Sequence, residues 1–207
     1  MADRNILLVE GKDDEHVFKS LLMHHQVPEV FRIKNKDGVN NLLETLDVEI
    51  DRSGLERLGI VVDADTDLDA RWQSLHDRLR MSGYPNVPAV PDLSGTIIEH
   101  PGRPKLGIWL MPDNAASGML EDFVGYLVRQ GDLLWDLAEV SLQQIPEAER
   151  RFPETHWIKA RVYTWLAWQE EPGKPMGQAI TATYFDANAS QAQQLITWLN
   201  RLFDLTP

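Results

Sequence analysis

The sequence predicts an α/β domain: a mostly parallel central sheet flanked by helices, with a helical C-terminal elaboration. Three observations carry this. Short, continuous apolar runs at residues 6–9, 58–62 and 106–110 have the length and composition of strands buried on both faces. Stretches with apolar residues at helical spacing separate them, and strand–helix alternation is the signature of a parallel sheet. The last quarter, which holds Trp157, Trp165, Trp168 and Trp198 of seven tryptophans in all, has helical patterning and enough aromatic bulk for a core.

Each element has its own justification. Ile6-Leu7-Leu8-Val9 reads as the first strand, and Glu10-Gly11-Lys12 as the turn after it. Asp13 or Asp14 can cap a helix that turns Val17, Phe18, Leu21 and Leu22 inward. Residues 30–34 alternate as a second strand. Gly38-Val39 opens a helix with Leu42, Leu43 and Leu46 inward. Residues 58–62 form a third strand ending in Asp63-Ala64-Asp65-Thr66-Asp67, and Leu68, Trp72, Leu75 and Leu79 share a face of the helix that follows. The proline-rich stretch 84–104 cannot be central sheet or helix throughout. Thr96-Ile97-Ile98 and residues 106–110 flank a Pro-Gly-Arg-Pro turn and read as a hairpin whose second arm is the fourth main strand. Met119, Leu120, Phe123, Val124 and Leu127 then share a helical face, and Leu133, Leu134, Leu137 and Val140 form another. Residues 155–168 read as a well-buried helix. In the last helix Ser190 is the expected cap, with Leu195, Ile196, Leu199, Leu202 and Phe203 inward. We divide the chain into an α/β domain over residues 1–130 and a helical extension over 131–207, packed on it.

Composition narrows the function classes. The 207 residues carry 20 basic and 32 acidic side chains, a net charge of −12. A broad basic surface for phosphate neutralisation is not expected. There are no cysteines, which removes disulfides, thiolate zinc sites and cysteine nucleophiles. No apolar run is long enough to span a bilayer, and the N-terminus lacks the apolar core of a signal peptide. The expectation is a cytoplasmic protein with no membrane partner. The six histidines make no ligand-spaced pair, and no phosphate-cradling glycine motif occurs. Trp157, Trp165 and Trp168 could stack bases, but their helical spacing favours a core.

The chemistry is concentrated in carboxylates. Glu10 follows the first strand, and Asp63 and Asp65 follow the third. In open α/β sheets ligands bind outside the carboxyl ends of the strands. In extended chain Asp63 and Asp65 point to one side, so with Glu10 they can converge on one point. Close carboxylates repel and raise one another's pKa, and a hard divalent ion such as Mg2+ relieves that repulsion. Asp13, Asp14 and Asp67 are better read as helix caps.

Leu7-Leu8-Val9-Glu10-Gly11-Lys12-Asp13-Asp14, followed some way on by Ile60-Val61-Val62-Asp63-Ala64-Asp65-Thr66-Asp67, resembles the Toprim domain. That domain is shared by topoisomerases, bacterial primases, RecR-type repair proteins and OLD-family nucleases. Its hallmark is a glutamate after the first strand and an Asp-x-Asp after a later one. The resemblance covers roughly residues 5 to 125 and is strongest to small stand-alone Toprim-like proteins, in which a Pro-Asp-Asn and a Leu-Glu-Asp follow the fourth strand. Here these are Pro112-Asp113-Asn114 and Leu120-Glu121-Asp122. The resemblance implies Glu10 as metal ligand or general acid/base, and Asp63 and Asp65 as ligands of Mg2+ or Mn2+. It makes Asp113 and Glu121 further acidic ligands and Lys159 a catalytic lysine; the alternative for Lys159 is a solvated helix lysine. Lys12, beside the glutamate turn, is a phosphate-binding candidate. The implied function is metal-dependent, nuclease-like phosphodiester chemistry on nucleic acid, engaged through metal rather than a basic surface. The alternative is a non-catalytic Toprim module that binds metal, nucleotide or a partner. The chain lacks the tyrosine domain of a topoisomerase, an evident ATPase domain and a primase zinc module.

Overall fold

The computed structural model describes residues 4–205. Its strands and helices alternate as β1 (Asn5–Val9), α1 (Lys12–His24), β2 (Arg32–Asn35), α2 (Val39–Glu44), α3 (Leu46–Ile50), β3 (Arg57–Asp63) and α4 (Leu68–Met81). The hairpin β4 (Thr96–Ile98) and β5 (Lys105–Met111) follows. The remaining elements are helical: α5 (Leu120–Tyr126), α6 (Leu133–Gln143), α7 (Trp157–Ala167), α8 (Met176–Thr181) and α9 (Ser190–Phe203). No described helix is long and apolar enough to cross a membrane.

The five strands lie in the order β2-β1-β3-β5-β4, parallel except for β4 against β5. The continuous apolar runs are explained by this arrangement, since helices cover both sheet faces. Leu7, Val9, Val61, Trp109 and Met111 point to one face, into a core shared with α1, α5 and the C-terminal helices. Ile6, Leu8, Leu58, Ile60, Val62, Ile108 and Leu110 point to the other, against Leu42, Leu46, Ile50, Trp72, Leu75 and Leu79. From β1 the chain turns to β2 on one side; from β3 it proceeds to β5 on the other. The order therefore reverses between β1 and β3, and the crevice at their carboxyl ends is where such a sheet binds ligands.

The C-terminal helices cover the first face. α9 crosses β3 and β5 where both strands carry glycine. A Cβ on Gly107 would stand 2.6 Å from Leu202 Cδ2 and 3.0 Å from Trp198 Cζ2, so the helix approaches to a distance only glycine allows. α8 packs on α1, where a Cβ on Gly177 would meet the His16 carbonyl oxygen at 2.7 Å.

Several expectations need correction. The second strand is shifted to Arg32–Asn35. Ser190 is not the cap of α9: Ala189 holds that position, and the Ser190 hydroxyl donates to Gln191 Oε1. The predicted inward face of α6 points outward: Leu133 is 75% exposed and Leu137 52%, while the buried residues of α6 are Ala138 and Leu142. α7 is buried at Val162, Trp165 and Leu166 only, and Lys159 and Tyr163 reach solvent.

Candidate functional site

Two carboxylates stitch the sheet edge together. Glu10 leaves β1 as the strand ends, and its Oε1 accepts the Asp63 backbone N–H at 2.8 Å. Asp63, the last residue of β3, accepts the Leu120 N–H on Oδ1 at 3.0 Å. The ends of β1 and β3 and the start of α5 are thereby held at one place. α5 gets there because β5 lies beside β3, and it brings Glu121, 4% exposed, whose Oε1 meets Lys159 Nζ of α7 at 3.0 Å.

Asp14 completes the group. It stands at the third position of α1, where its Oδ2 accepts the Gly11 N–H at 3.1 Å and closes the first turn. Its Oδ1 is buried with no hydrogen-bond partner. Glu10, Asp14, Asp63 and Glu121 line one cavity of about 390 Å3, with Lys12 and Lys159 at its wall. Each carboxylate spends one oxygen on an N–H or an ammonium. The second oxygen of each has no hydrogen-bond partner among the described residues.

Burial without counter-charge penalises ionisation. Burial, opposed by the Asp63 N–H and reinforced by Asp14, raises Glu10 from 4.5 to about 7. Burial raises Asp14 to about 6, with Glu121 adding to it. Asp63 is also raised, first by burial and then by the Glu10 charge. These acids titrate as a coupled set rather than singly. Burial works against the charge on Lys159, but the ion pair with Glu121 outweighs it and holds the amine above the ordinary lysine range.

Of the residues singled out from sequence, Glu10, Asp63, Glu121, Lys12 and Lys159 share this cavity. Asp65 does not line it. Its φ of +54° breaks the extended run, so it no longer repeats the direction of Asp63. Its half-exposed carboxylate pairs with Arg71 and borders a neighbouring cleft. Asp113 also lies outside the cavity: its Oδ1 accepts the N–H groups of Ala115 and Ala116 at 3.0 and 2.9 Å and closes a turn. Asp67 caps α4 by accepting the Ala70 N–H at 2.9 Å, as the capping reading expects. The capping reading covers only part of what Asp14 does. It does close the helix turn, but burial also turns its free oxygen into a member of the site. The available signal was its place one helical turn after the Glu-Gly pair.

The donor chemistry, four carboxylates with uncommitted oxygens and one orphaned buried oxygen, fits a hard divalent cation. Among the described residues, no three acidic, histidine or cysteine side chains are already drawn together to enclose an ion. Engagement would therefore require side-chain rotation, such as release of Glu121 from Lys159.

No curated protein and no solved structure matches the chain. One family, described as "Protein of unknown function (DUF3226)", matches residues 4–204. That span takes in the sheet, the carboxylate cavity and the helices that close it, and on this match the chain belongs to the DUF3226 family.

Proposed function

We propose that this chain is a Toprim-related cytoplasmic protein that carries out Mg2+- or Mn2+-dependent phosphodiester chemistry on nucleic acid. The observation that carries the reading is the cavity at the β1/β3 switch point. There buried Asp14 and Glu121 and half-buried Glu10 and Asp63 stand beside Lys12 and Lys159. Structural carboxylates are normally solvated or paired; a largely buried set with an orphaned oxygen on Asp14 calls for a cation. A bound divalent ion would add to the positive charge that Lys12 and Lys159 offer a phosphodiester in this acidic chain.

The side chains divide the work. Asp63 and Asp14 are held by main-chain N–H groups and present fixed ligand oxygens. Glu10, with a pKa of about 7, can hold or release a proton on Oε2 near neutrality, as a general acid or base must. Lys159 stays charged, and on exchanging Glu121 for a phosphate oxygen it stabilises transition-state charge. Lys12, at the open end of the cavity, contacts the phosphate chain. Asp65 and Asp113 join the ligand set only if their present partners release them.

Calorimetric titration of Mg2+ and Mn2+ into the wild type and Asp63→Asn tests the site. Loss of binding in the variant is expected; equal affinity removes the metal from this cavity. Cleavage of single-stranded DNA, duplex DNA and RNA by metal-loaded protein tests the reaction. Lys159→Met should slow it by roughly two to three orders of magnitude. Metal binding with no cleavage of any nucleic acid replaces this reading with that of a non-catalytic binding module.

A further inference from the structure

Beside the carboxylate cavity runs a second cleft, of about 500 Å3, that the chemistry above does not use. The turn after β3 supplies Asp65, the start of α5 supplies Met119 and Asp122, and the segment entering α7 supplies Glu154, His156 and Trp157. The two cavities share a wall. Asp63 accepts from Leu120 N–H on one side of it, and the Asp65 N–H donates to the Gly118 carbonyl at 2.8 Å on the other. We propose that this cleft is a nucleobase subsite for single-stranded nucleic acid, selective for bases with an exocyclic amino group. The proposal rests on the phosphodiester reading, because the shared wall sets a base here next to a phosphate among the carboxylates.

Three features support it. The first is a fixed aromatic ring. Trp165 is in the core, 1% exposed, whereas Trp157 borders the cleft. Its indole is immobilised: Nε1 donates to both carboxylate oxygens of Glu139 at 3.0 and 3.1 Å, and Phe152 packs edge-on at 5.9 Å. A ring already held in place stacks a base with little ordering cost. The second is the acceptor character of the lining. Asp65, Asp122 and Glu154 each commit one oxygen, to Arg71, the Met119 N–H and Arg150 respectively, and offer the other, which can accept from the amino groups of cytosine, adenine and guanine. Thymine and uracil offer a single N3–H flanked by two carbonyl oxygens, which the same carboxylates repel. The third is that the cations near the cleft are already engaged, Arg71 with Asp65 and Arg150 with Glu154 and, at 5.7 Å, the Trp157 ring, and neither lines it, while Lys12 and Lys159 line its neighbour. The cleft therefore suits a base, and the neighbouring cavity suits the phosphate.

The test is equilibrium binding of fluorescein-labelled dA6, dC6 and dT6 hexamers to the full chain in Ca2+, which supports binding without requiring turnover. dA6 and dC6 should bind roughly tenfold tighter than dT6. Trp157→Ala should weaken dA6 and dC6 roughly tenfold, Trp157→Phe should retain most of the affinity, and Asp122→Asn should narrow the dC6-to-dT6 gap. Mg2+ affinity by calorimetry should be the same in Trp157→Phe as in the wild type. Equal binding of dT6 and dC6, or wild-type affinity in a folded Trp157→Ala, overturns the subsite. So does the absence of binding to any hexamer. Cleavage that persists without base preference overturns the subsite while leaving the phosphodiester reading standing. Base-selective binding without metal uptake at Asp63 does the reverse.

Discussion

Glu10 carries the clearest consequence at the scale of the residue. Its folded pKa of about 7 lies above its ordinary value of 4.5, so between those pH values the folded chain binds more protons than the unfolded one. Stability then falls as pH rises through that window. Integrated, the penalty is on the order of 3 kcal/mol by pH 8, shared with Asp14 as a coupled pair. In EDTA, urea denaturation should show stability dropping from pH 5 to 8, and Glu10→Gln should flatten that slope. Added Mg2+ should restore stability above pH 7, because the ion binds only the folded cluster. An unchanged slope in Glu10→Gln would show that the residue is solvated rather than buried. Glu10 and Asp63 were legible in sequence because each directly follows a buried strand, and strand ends are fixed by the apolar runs. Asp65 and Asp113 were harder. Their side-chain directions depend on a left-handed residue and on a turn, and neither leaves a period in the sequence.

At the scale of the element, close approach decides the packing of the C-terminal helices. Gly107→Ala would press a methyl group into Leu202 and Trp198, and should cost about 1–3 kcal/mol in urea denaturation, as overpacking does. Gly177→Ala should cost at least as much, because its neighbour is the His16 backbone carbonyl, which cannot rotate away. A neutral result at both would mean that α8 and α9 sit more loosely than these distances allow. α6 makes the opposite case. Its leucines repeat at helical spacing and read as a core face, yet Leu133 and Leu137 are solvent-exposed. Leu137→Lys should therefore change stability by no more than about 0.5 kcal/mol, where a core leucine would cost several times that. Periodicity locates an apolar face, but it does not say whether another element covers it.

At the scale of the whole molecule, the α/β sheet loses part of the cover on one face without the C-terminal helices, since α1 and α5 cover only the rest of it. Trp165, Phe185, Trp198 and Leu202 share a core with Leu7, Val61 and Trp109. Lys159 of α7 also closes the carboxylate cavity. Limited proteolysis should accordingly release no stable fragment ending near residue 130, and urea unfolding followed by fluorescence and by circular dichroism should coincide. A protease-resistant fragment of residues 1–130 would show that the sheet holds its face without this cover.

The sequence by itself determined the α/β class, the parallel strands, the hairpin and the two acidic strand ends. Each depends on local periodicity and turn chemistry within a few residues. Only the tertiary structure decided the strand order that sets β5 beside β3. That order brings Glu121 and Lys159 to Glu10 and buries the free oxygen of Asp14. Such convergence depends on crossovers between residues more than a hundred positions apart. Burial, which shifts the pKa of these carboxylates, exists only once both sheet faces are covered.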